Sequence, residues 1–377
     1  QRTNTNHLTV DGMAVDFAAN LGVNPGQNVG GTLPALTVGG GTHSFVSVDA
    51  MQEFRTHTSS YQPELGRMPG AQISIVTRSG TNRFRGTAYD YVRDEALDAR
   101  NWFNRPPEPK AQLRQQDFGA TLGGPLRRDR TFFFLSYEGL RLRQPDVVTG
   151  IVYSVEATAG IMPPADASTG GTIMVPGVSS IDPACVGMTS QCGVRATAEV
   201  SYPTRVDAYS GRFDHTVGRG VSMFMRAGHT PSSEQRESFF RTERLRRDTS
   251  LVTTGVSATL GRRAVNDLRI GWGRAAGQVS FGEGPGAVPQ PRAQSVGLAS
   301  GPSAGASSGA VSIGIQQDVM NESRQVQVVD TFSAALGRHD LRIGLDYRHL
   351  LTGNQGVASP SLVFVGDAQS LATVTPL

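Results

Sequence analysis

The chain has 377 residues, of which 38% are hydrophobic and 18% charged, with 45 glycines, 21 prolines and a formal net charge of +3. So much glycine and proline with so little charge argues against a helical enzyme and favours many strands joined by turns. The positive charge comes from scattered arginines rather than from a basic face with stacking aromatics, which argues against nucleic acid as a partner.

Two cysteines, Cys185 and Cys192, lie seven positions apart in a segment rich in glycine and proline. No second Cys/His pair has metal-site spacing, so the pair is either a local disulfide formed in an oxidising compartment or two free thiols. No run of 18 apolar residues occurs, which excludes a helical membrane protein. The chain opens at Gln1 without a signal peptide, and we expect the natural N-terminus to lie further upstream.

Residues 1–83 form the first predicted unit, a partial module of mixed α and β structure. The stretch 44–86 predicts a short helix or turn at 48–54, a strand near 55–58, a turn punctuated by glycine and a strand at 71–77. The glycine run "VGGGT" at 38–42 has no following Lys-Ser/Thr, so it predicts a flexible loop rather than a phosphate site.

From residue 84 onward, apolar residues alternate with polar residues or glycine, as one-sided strands require. In "DLRIGWGR", 267–274, Leu268, Ile270 and Trp272 oppose Asp267 and Arg269, and "DLRIGLDYRH" at 340–349 is a near copy. The predicted strands are 84–93, 113–122, 131–142, 203–216, 221–229, 250–260, 266–276, 325–336 and 340–350. Asp330 is an exception that falls on an apolar face.

Short and long connections alternate along the predicted strands. The links "GGPLRRDR", "VGRG", "GRRAV" and "GRH" are short, whereas 94–112, 143–202, 230–249 and 277–324 are long. One end of the sheet therefore carries tight turns and the other carries long loops. The strands alone would also suit a soluble sandwich or propeller, but this asymmetry is typical of transmembrane β-barrels, with the apolar face on lipid and the Asp/Arg/Gly face lining a wet interior.

Several motifs together resemble one family. In chain order they are "HLTVDGM", "VDAMQEFR", "SSYQPELGRMPGAQISIVTRSGTN", "LDARNWF" and "FGATLGGPLRRDRTFFFLSYEGLR". Their sequence is similar to the end of the plug and the start of the barrel in TonB-dependent outer-membrane receptors of the Oar-like branch. The resemblance covers most of the chain, although 143–202 and 277–324 match nothing in it.

The resemblance implies a plug inside a barrel of about 22 strands, energised through TonB and located in the cell outer membrane. The chain shows no segment for contact with TonB, and nine strands is an odd number where bacterial barrels have an even one. We therefore expect a mainly β chain, with part of a plug at 1–83 and an incomplete antiparallel barrel at 84–377 whose outer loops are 94–112, 143–202, 230–249 and 277–324.

Two sets of candidate site residues follow. Residues that could pair plug with barrel, or be solvated surface charges, are Glu64, Arg67, Arg78, Glu138 and Arg141. Aromatic residues at strand ends that could form interfacial girdles are Tyr89, Tyr91, Trp102, Phe132, Phe133, Tyr137 and Trp272. The seven histidines show no metal-site spacing and no G-x-S-x-G motif occurs, so no catalytic, metal or cofactor site is predicted.

The sequence thus predicts a TonB-dependent receptor or transporter for an unknown bulky ligand, with outer-membrane lipid and the TonB complex as partners. Two alternatives stay open. The chain could belong to a non-transporting adhesin or surface scaffold, or it could be a truncated fragment without independent function.

Overall fold

A computed structural model of the chain describes residues 7–15, 37–38, 46–58, 70–99, 113–152, 194–237, 241–283, 295–299, 310–314, 319–355 and 361–365. These residues form three sheets of nine, four and three strands. No helix in these ranges is long and apolar enough to cross a membrane.

The large sheet confirms the expected nine antiparallel strands, each hydrogen-bonded to its neighbours in chain order. Its strands are β5 (Arg85–Asp94), β6 (Arg114–Arg127), β7 (Thr131–Val152), β8 (Val194–Val217), β9 (Val221–Glu237), β10 (Arg241–Leu260), β11 (Ala264–Glu283), β14 (Val319–Leu336) and β15 (His339–Gln355). Within the described residues the sheet is open, with β5 and β15 at its edges, as an incomplete barrel requires.

The ends of the strands at the short turns lie close to the predicted positions. Three of these turns carry a glycine with φ between 65° and 67°, namely Gly218, Gly261 and Gly337, and the fourth carries Asp129 with φ 62°. Glycine adopts this left-handed conformation without a steric penalty, which explains why the turn signals located these ends accurately.

At the other end the strands run beyond the prediction into segments expected to be loops. β7 and β8 pair as far as Val152 and Val194, and β9 and β10 as far as Glu237–Thr242. Backbone N–H and C=O groups need hydrogen-bond partners whatever the side-chain pattern, and antiparallel pairing supplies them in these segments. The expected loops 143–202, 230–249 and 277–324 are therefore partly strand.

A four-stranded N-terminal sheet lies against one face of the large sheet. Its order is β2 (Met13–Ala14), β1 (His7–Val10), β4 (Gln72–Thr77) and β3 (Met51–His57), and β1 and β4 are parallel. The expected helix or turn at 48–54 is a single 3-10 turn at Val48–Ala50, after which β3 begins at Met51, earlier than predicted. We call the face of the large sheet that this module contacts the inner face, and the opposite face the outer face.

An apolar core joins the two sheets. Leu8, Val10 and Ile75 of the N-terminal sheet pack in one buried cluster with Phe134 and Leu251, which reach in from the large sheet. Burying these side chains stabilises the contact by roughly 1.5–3 kcal/mol for each one fully removed from water. The inner face is therefore a packing surface as well as a polar one.

The outer face carries the apolar side of the alternation. On β11, Ile270 and Trp272 remain 48% and 40% exposed, whereas Arg269 and Gly271 contact the N-terminal module. The exception Asp330 also lies on the outer face, where it accepts a hydrogen bond of 2.8 Å from Asn266 Nδ2. Asn266 lies two residues from the start of β11, so this polar pair is near the short-turn rim.

A third sheet comes from segments expected as loop. β12 (Ser295–Ala299) pairs with β13 (Ala310–Gly314), which pairs with β16 (Ser361–Val365), all antiparallel. Its strands follow β11 and β15, so they arise from the long-connection end of the large sheet.

Candidate functional site

Asp11 lies at the centre of the contact between the two sheets. Asp11 and Gly12 join β1 to β2 with φ of 49° and 82°, the positive values that a tight Asp-Gly hairpin turn requires. The Asp11 carboxylate accepts hydrogen bonds from Thr77 N at 2.9 Å and from Thr77 Oγ1 at 2.8 Å. These bonds fix the carboxylate, which is almost completely buried, towards the large sheet.

Three arginines of the large sheet converge on this turn. Arg212 Nη1 lies 3.2 Å from Asp11 Oδ1, and Arg226 Nε lies 3.7 Å from Asp11 Oδ2. Arg269 Nη1 donates to the Asp11 backbone carbonyl at 3.3 Å. We call Asp11, Thr77, Arg212, Arg226 and Arg269 the Asp11 cluster.

Two further carboxylates balance the other arginines of the cluster, since Asp267 Oδ2 lies 2.9 Å from Arg269 Nη2 and Asp214 contacts Arg212. Arg212 Nη2 donates a hydrogen bond to Asp214 Oδ1 at 2.9 Å, and Ser79 Oγ donates one to Asp214 Oδ2 at 2.8 Å. The Arg226 side chain is 2% exposed, and its Nη1 has no hydrogen-bond partner among the described residues. Because a buried guanidinium is costly without a counter-charge, Arg226 depends on Asp11.

Neutral contacts hold the edge of the N-terminal sheet. The Ala14 backbone N–H donates to Gln327 Oε1 at 3.0 Å, and Gln325 Nε2 donates to the Ala14 carbonyl at 2.9 Å. Further along the chain, the Val38 N–H donates to Ser232 Oγ at 3.1 Å. Glutamine and serine side chains therefore complete backbone groups that a further strand would otherwise satisfy.

The predicted ion-pair residues that the structure describes lie outside the Asp11 cluster. Arg78 donates to the Met51 carbonyl at 3.0 Å, within the N-terminal module. Glu138 faces inward and accepts a hydrogen bond of 2.9 Å from Tyr89. Arg141 lies on the outer face, 2.6 Å from Asp207, because an odd spacing of three residues puts it on the opposite side of the strand from Glu138. Glu64 and Arg67 lie outside the described residues.

The predicted aromatic girdle divides between the two faces. On the outer face, Phe133 lies 6.2 Å from Phe84 and Tyr137 lies 5.0 Å from Tyr209, measured between ring centroids. The alternation of β7 and β5 turns three of the predicted aromatic residues inward. These inward residues are Phe132, Tyr89 and Tyr91. Trp272 faces outward, whereas Trp102, Cys185 and Cys192 lie outside the described residues.

Sequence reasoning missed the centre of the site. The prediction did not use the Asp-Gly pair at 11–12, which is typical of a hairpin turn. Arg269 was correctly assigned to the polar face, but nothing linked the two across 258 residues. In the part of the chain that the structure describes, no group of three or more His, Cys, Asp or Glu side chains could hold a metal ion. The site is an intramolecular contact between the N-terminal sheet and the large sheet.

Substitution of Gly12 by alanine is expected to loosen this contact. A Cβ at Gly12 would lie 1.8 Å from Arg269 Nη1, and the positive φ adds backbone strain. We expect a loss of about 1–3 kcal/mol in docking of the N-terminal module, measured as faster hydrogen exchange of the β1 amides. Gly218→Ala is the matched control, since Gly218 has φ +65° with nothing within 4 Å. Equal exchange in both variants would contradict the steric role of Arg269.

The sequence of this chain matches a known protein family over most of its length. A family profile described as "Outer membrane beta barrel domain" matches residues 76–373. The chain belongs to this outer-membrane β-barrel family. The protein is therefore located in the cell outer membrane, with the outer face of its barrel strands on lipid.

One curated relative matches a short part of this β-barrel chain, and solved structures match most of its length. "TonB-dependent transporter Oar" of Myxococcus xanthus is 34% identical over 97 residues, which cover 24% of this chain and 9% of the relative. The transporter YddB of Escherichia coli has a TM-score of 0.48 at 9% identity over 93% of this chain and 47% of its own. The siderophore receptor PirA of Acinetobacter baumannii has a TM-score of 0.45 at 10% identity over 93% and 50%. The chain thus spans about half the length of these solved structures and a small part of Oar.

Proposed function

We propose that this chain provides part of the plug and the first barrel strands of a TonB-dependent transporter of the Oar type. The N-terminal sheet is the plug, and the large sheet is the barrel wall. The observation that carries the proposal is the Asp11 cluster, which attaches the module to the inner face through hydrogen bonds and ion pairs around one turn. The local identity to the Myxococcus transporter supports it.

The cluster suits a contact that must break and form again. Polar groups that separate can be solvated by water, so opening such a contact exposes less apolar surface than opening a purely hydrophobic one. Asp11 and Ala14 lie on the same hairpin, so a pull on β1 and β2 would act on the charged and neutral contacts together. Movement of this hairpin would uncover a polar path along the inner face for the transported compound.

Energised movement of the plug is tested by labelling a buried position of the hairpin. In the full-length protein, with Cys185 and Cys192 replaced by serine, Ala14→Cys is treated in cells with a membrane-permeant maleimide. Because Ala14 is fully buried, we expect labelling several-fold faster in cells with TonB and a proton-motive force than in cells lacking TonB or treated with a protonophore.

Val217→Cys, at the exposed short-turn end of β8, is the matched control, and its labelling should not depend on TonB. Cells are grown in the rich medium of the host, so that the transported compound is present. Labelling of Ala14→Cys that is equal with and without TonB, in a heat-modifiable protein of the outer membrane, would contradict the proposal and favour the adhesin or scaffold.

A further inference from the structure

Arginines accumulate on the outer face of β5–β10, towards the long-connection end. Arg141 of β7 is directly opposite Arg205 of β8. Two residues further along β7, on the same face, Arg143 is directly opposite Arg114 of β6. Like charges in opposed positions of antiparallel strands repel each other and destabilise the sheet. Two such pairs on neighbouring rows therefore indicate that an anion outside the sheet compensates them.

Carboxylates of the chain compensate only part of this charge. Arg141 lies 2.6 Å from Asp207, and Arg114 lies 3.4 Å from Asp94. Arg143, Arg205 and Arg246 have no acidic group within 4.0 Å among the residues whose side chains the structure describes, which leave out 144–152 and 194–201. Three guanidinium groups on one surface thus remain available to an external ligand.

The arginines line a groove of about 620 Å³. The lining side chains that point away from the inner face include Arg114, Arg141, Arg143, Arg205, Arg244 and Arg246. We call this the arginine groove. Guanidinium groups bind phosphate oxygens through paired hydrogen bonds, and several of them around one concavity suit a ligand with more than one phosphate.

A second groove lies lower on the same outer face and has a different chemistry. It has a volume of about 580 Å³, and it is lined by Leu135, Tyr137, Tyr209, Gly211 and Ala227, among others. Small residues at 211 and 227 are cross-strand partners, and they leave space between the flanking larger side chains. We call this the apolar groove.

The heights of the two grooves match the layers of a bilayer leaflet. From Thr131 at the short turn, Arg141 is ten residues up β7, which is about 33 Å along the strand and about 25 Å in height at a tilt near 40°. The apolar band of an outer-membrane barrel is about 25 Å tall. The arginine groove therefore lies at the upper boundary of the hydrocarbon, and the apolar groove lies within it.

We propose that the outer face of β5–β10 is a specific site for a phosphorylated glycolipid of the outer leaflet. The phosphates of the lipid headgroup bind in the arginine groove, and an acyl chain occupies the apolar groove below it. The occupant is a lipid rather than free phosphate, because the two grooves lie on one face at the vertical separation of a headgroup and its acyl chains. Binding also relieves the repulsion between the opposed arginines, so it stabilises the barrel wall.

The experiment compares lipids that differ only in phosphate. The full-length protein is purified and reconstituted in phosphatidylcholine nanodiscs, and bisphosphorylated lipid A or its fully dephosphorylated form is titrated in. We expect the phosphorylated lipid to bind about tenfold or more tightly than the other, with an affinity that falls as salt increases. Equal affinity for the two forms, or displacement by millimolar inorganic phosphate, would overturn the proposal.

Variants locate the site. Arg143→Gln/Arg205→Gln is expected to reduce the preference for the phosphorylated lipid about tenfold, whereas Arg219→Gln/Arg262→Gln, which removes two arginines at the short turns, leaves it unchanged. Gly211→Leu fills the apolar groove and is expected to weaken binding of both lipids. Each variant is checked for heat-modifiable migration, and the wild-type comparison of the two lipids decides the proposal if a variant fails to fold. An unchanged preference in a folded arginine variant would place the lipid elsewhere.

Discussion

Replacement of Asp11 by alanine is expected to release the plug from the barrel wall while the barrel itself stays folded. The change leaves Arg226, with its side chain 2% exposed, without the carboxylate that lies 3.7 Å from its Nε. Removing one partner of a buried ion pair costs about 3–5 kcal/mol, because the remaining charge stays desolvated. We expect the β1 and β4 amides to exchange hydrogen about 100-fold or more faster, with heat-modifiable migration of the barrel unchanged.

Two variants separate the buried charge from general damage to the plug. Glu53→Ala removes an ion pair with Arg55 whose side chains are 43% and 61% exposed, so its effect should stay within about 0.5 kcal/mol. Asp11→Ala/Arg226→Met removes both charges and should recover part of the lost protection, since a methionine can occupy the space without a desolvation penalty. A double variant as unstable as Asp11→Ala would show that the Thr77 hydrogen bonds, and not the Arg226 charge, hold the contact.

The fold could be predicted from the sequence wherever one local rule decides the structure. Alternation over 267–274 and 340–349 assigned Leu268, Ile270 and Leu345 to the outer face, and Gly218 and Gly261 marked turns to within two residues. The outer ends of the strands were not predictable in this way. Residues 144–152 do not alternate apolar with polar positions, since Val147 follows directly on Asp146 and is itself followed by Val148, so the pairing of β7 with β8 out to Val152 and Val194 gives no periodic signal.

The candidate site was predictable only in part, because it depends on contacts between distant segments. Asp11 is 201 residues from Arg212 and 258 from Arg269, and no spacing rule connects them. The alternation of side chains along a strand, by contrast, could have shown that Glu138 and Arg141 lie on opposite faces, since residues three apart point in opposite directions. The same rule would have placed Arg141 on the same face as Tyr137, since residues an even number of positions apart point in the same direction.

Introduction of an arginine at Ile270 is expected to destabilise the barrel strongly. Ile270 is 48% exposed on the outer face of β11, with Thr254 and Val328 as cross-strand neighbours. It lies six residues above the start of the strand, about 20 Å along it and about 15 Å in height, near the middle of the apolar band. A guanidinium there costs about 2–4 kcal/mol, which urea titration of the full-length protein in lipid vesicles would measure as a lower free energy of unfolding.

Leu260→Arg is the matched control, because it makes a similar change of an aliphatic residue to arginine at another depth. Leu260 is 52% exposed and is the last residue of β10, at the short-turn rim, where an arginine can reach the headgroups and the loss should be about 0–1 kcal/mol. A difference between the two variants requires a hydrocarbon layer at the height of Ile270, since exposure alone is nearly equal. Equal losses, or no loss at Ile270, would mean that this face meets water, and both the membrane placement of β11 and the lipid site on the outer face of β5–β10 would then be wrong.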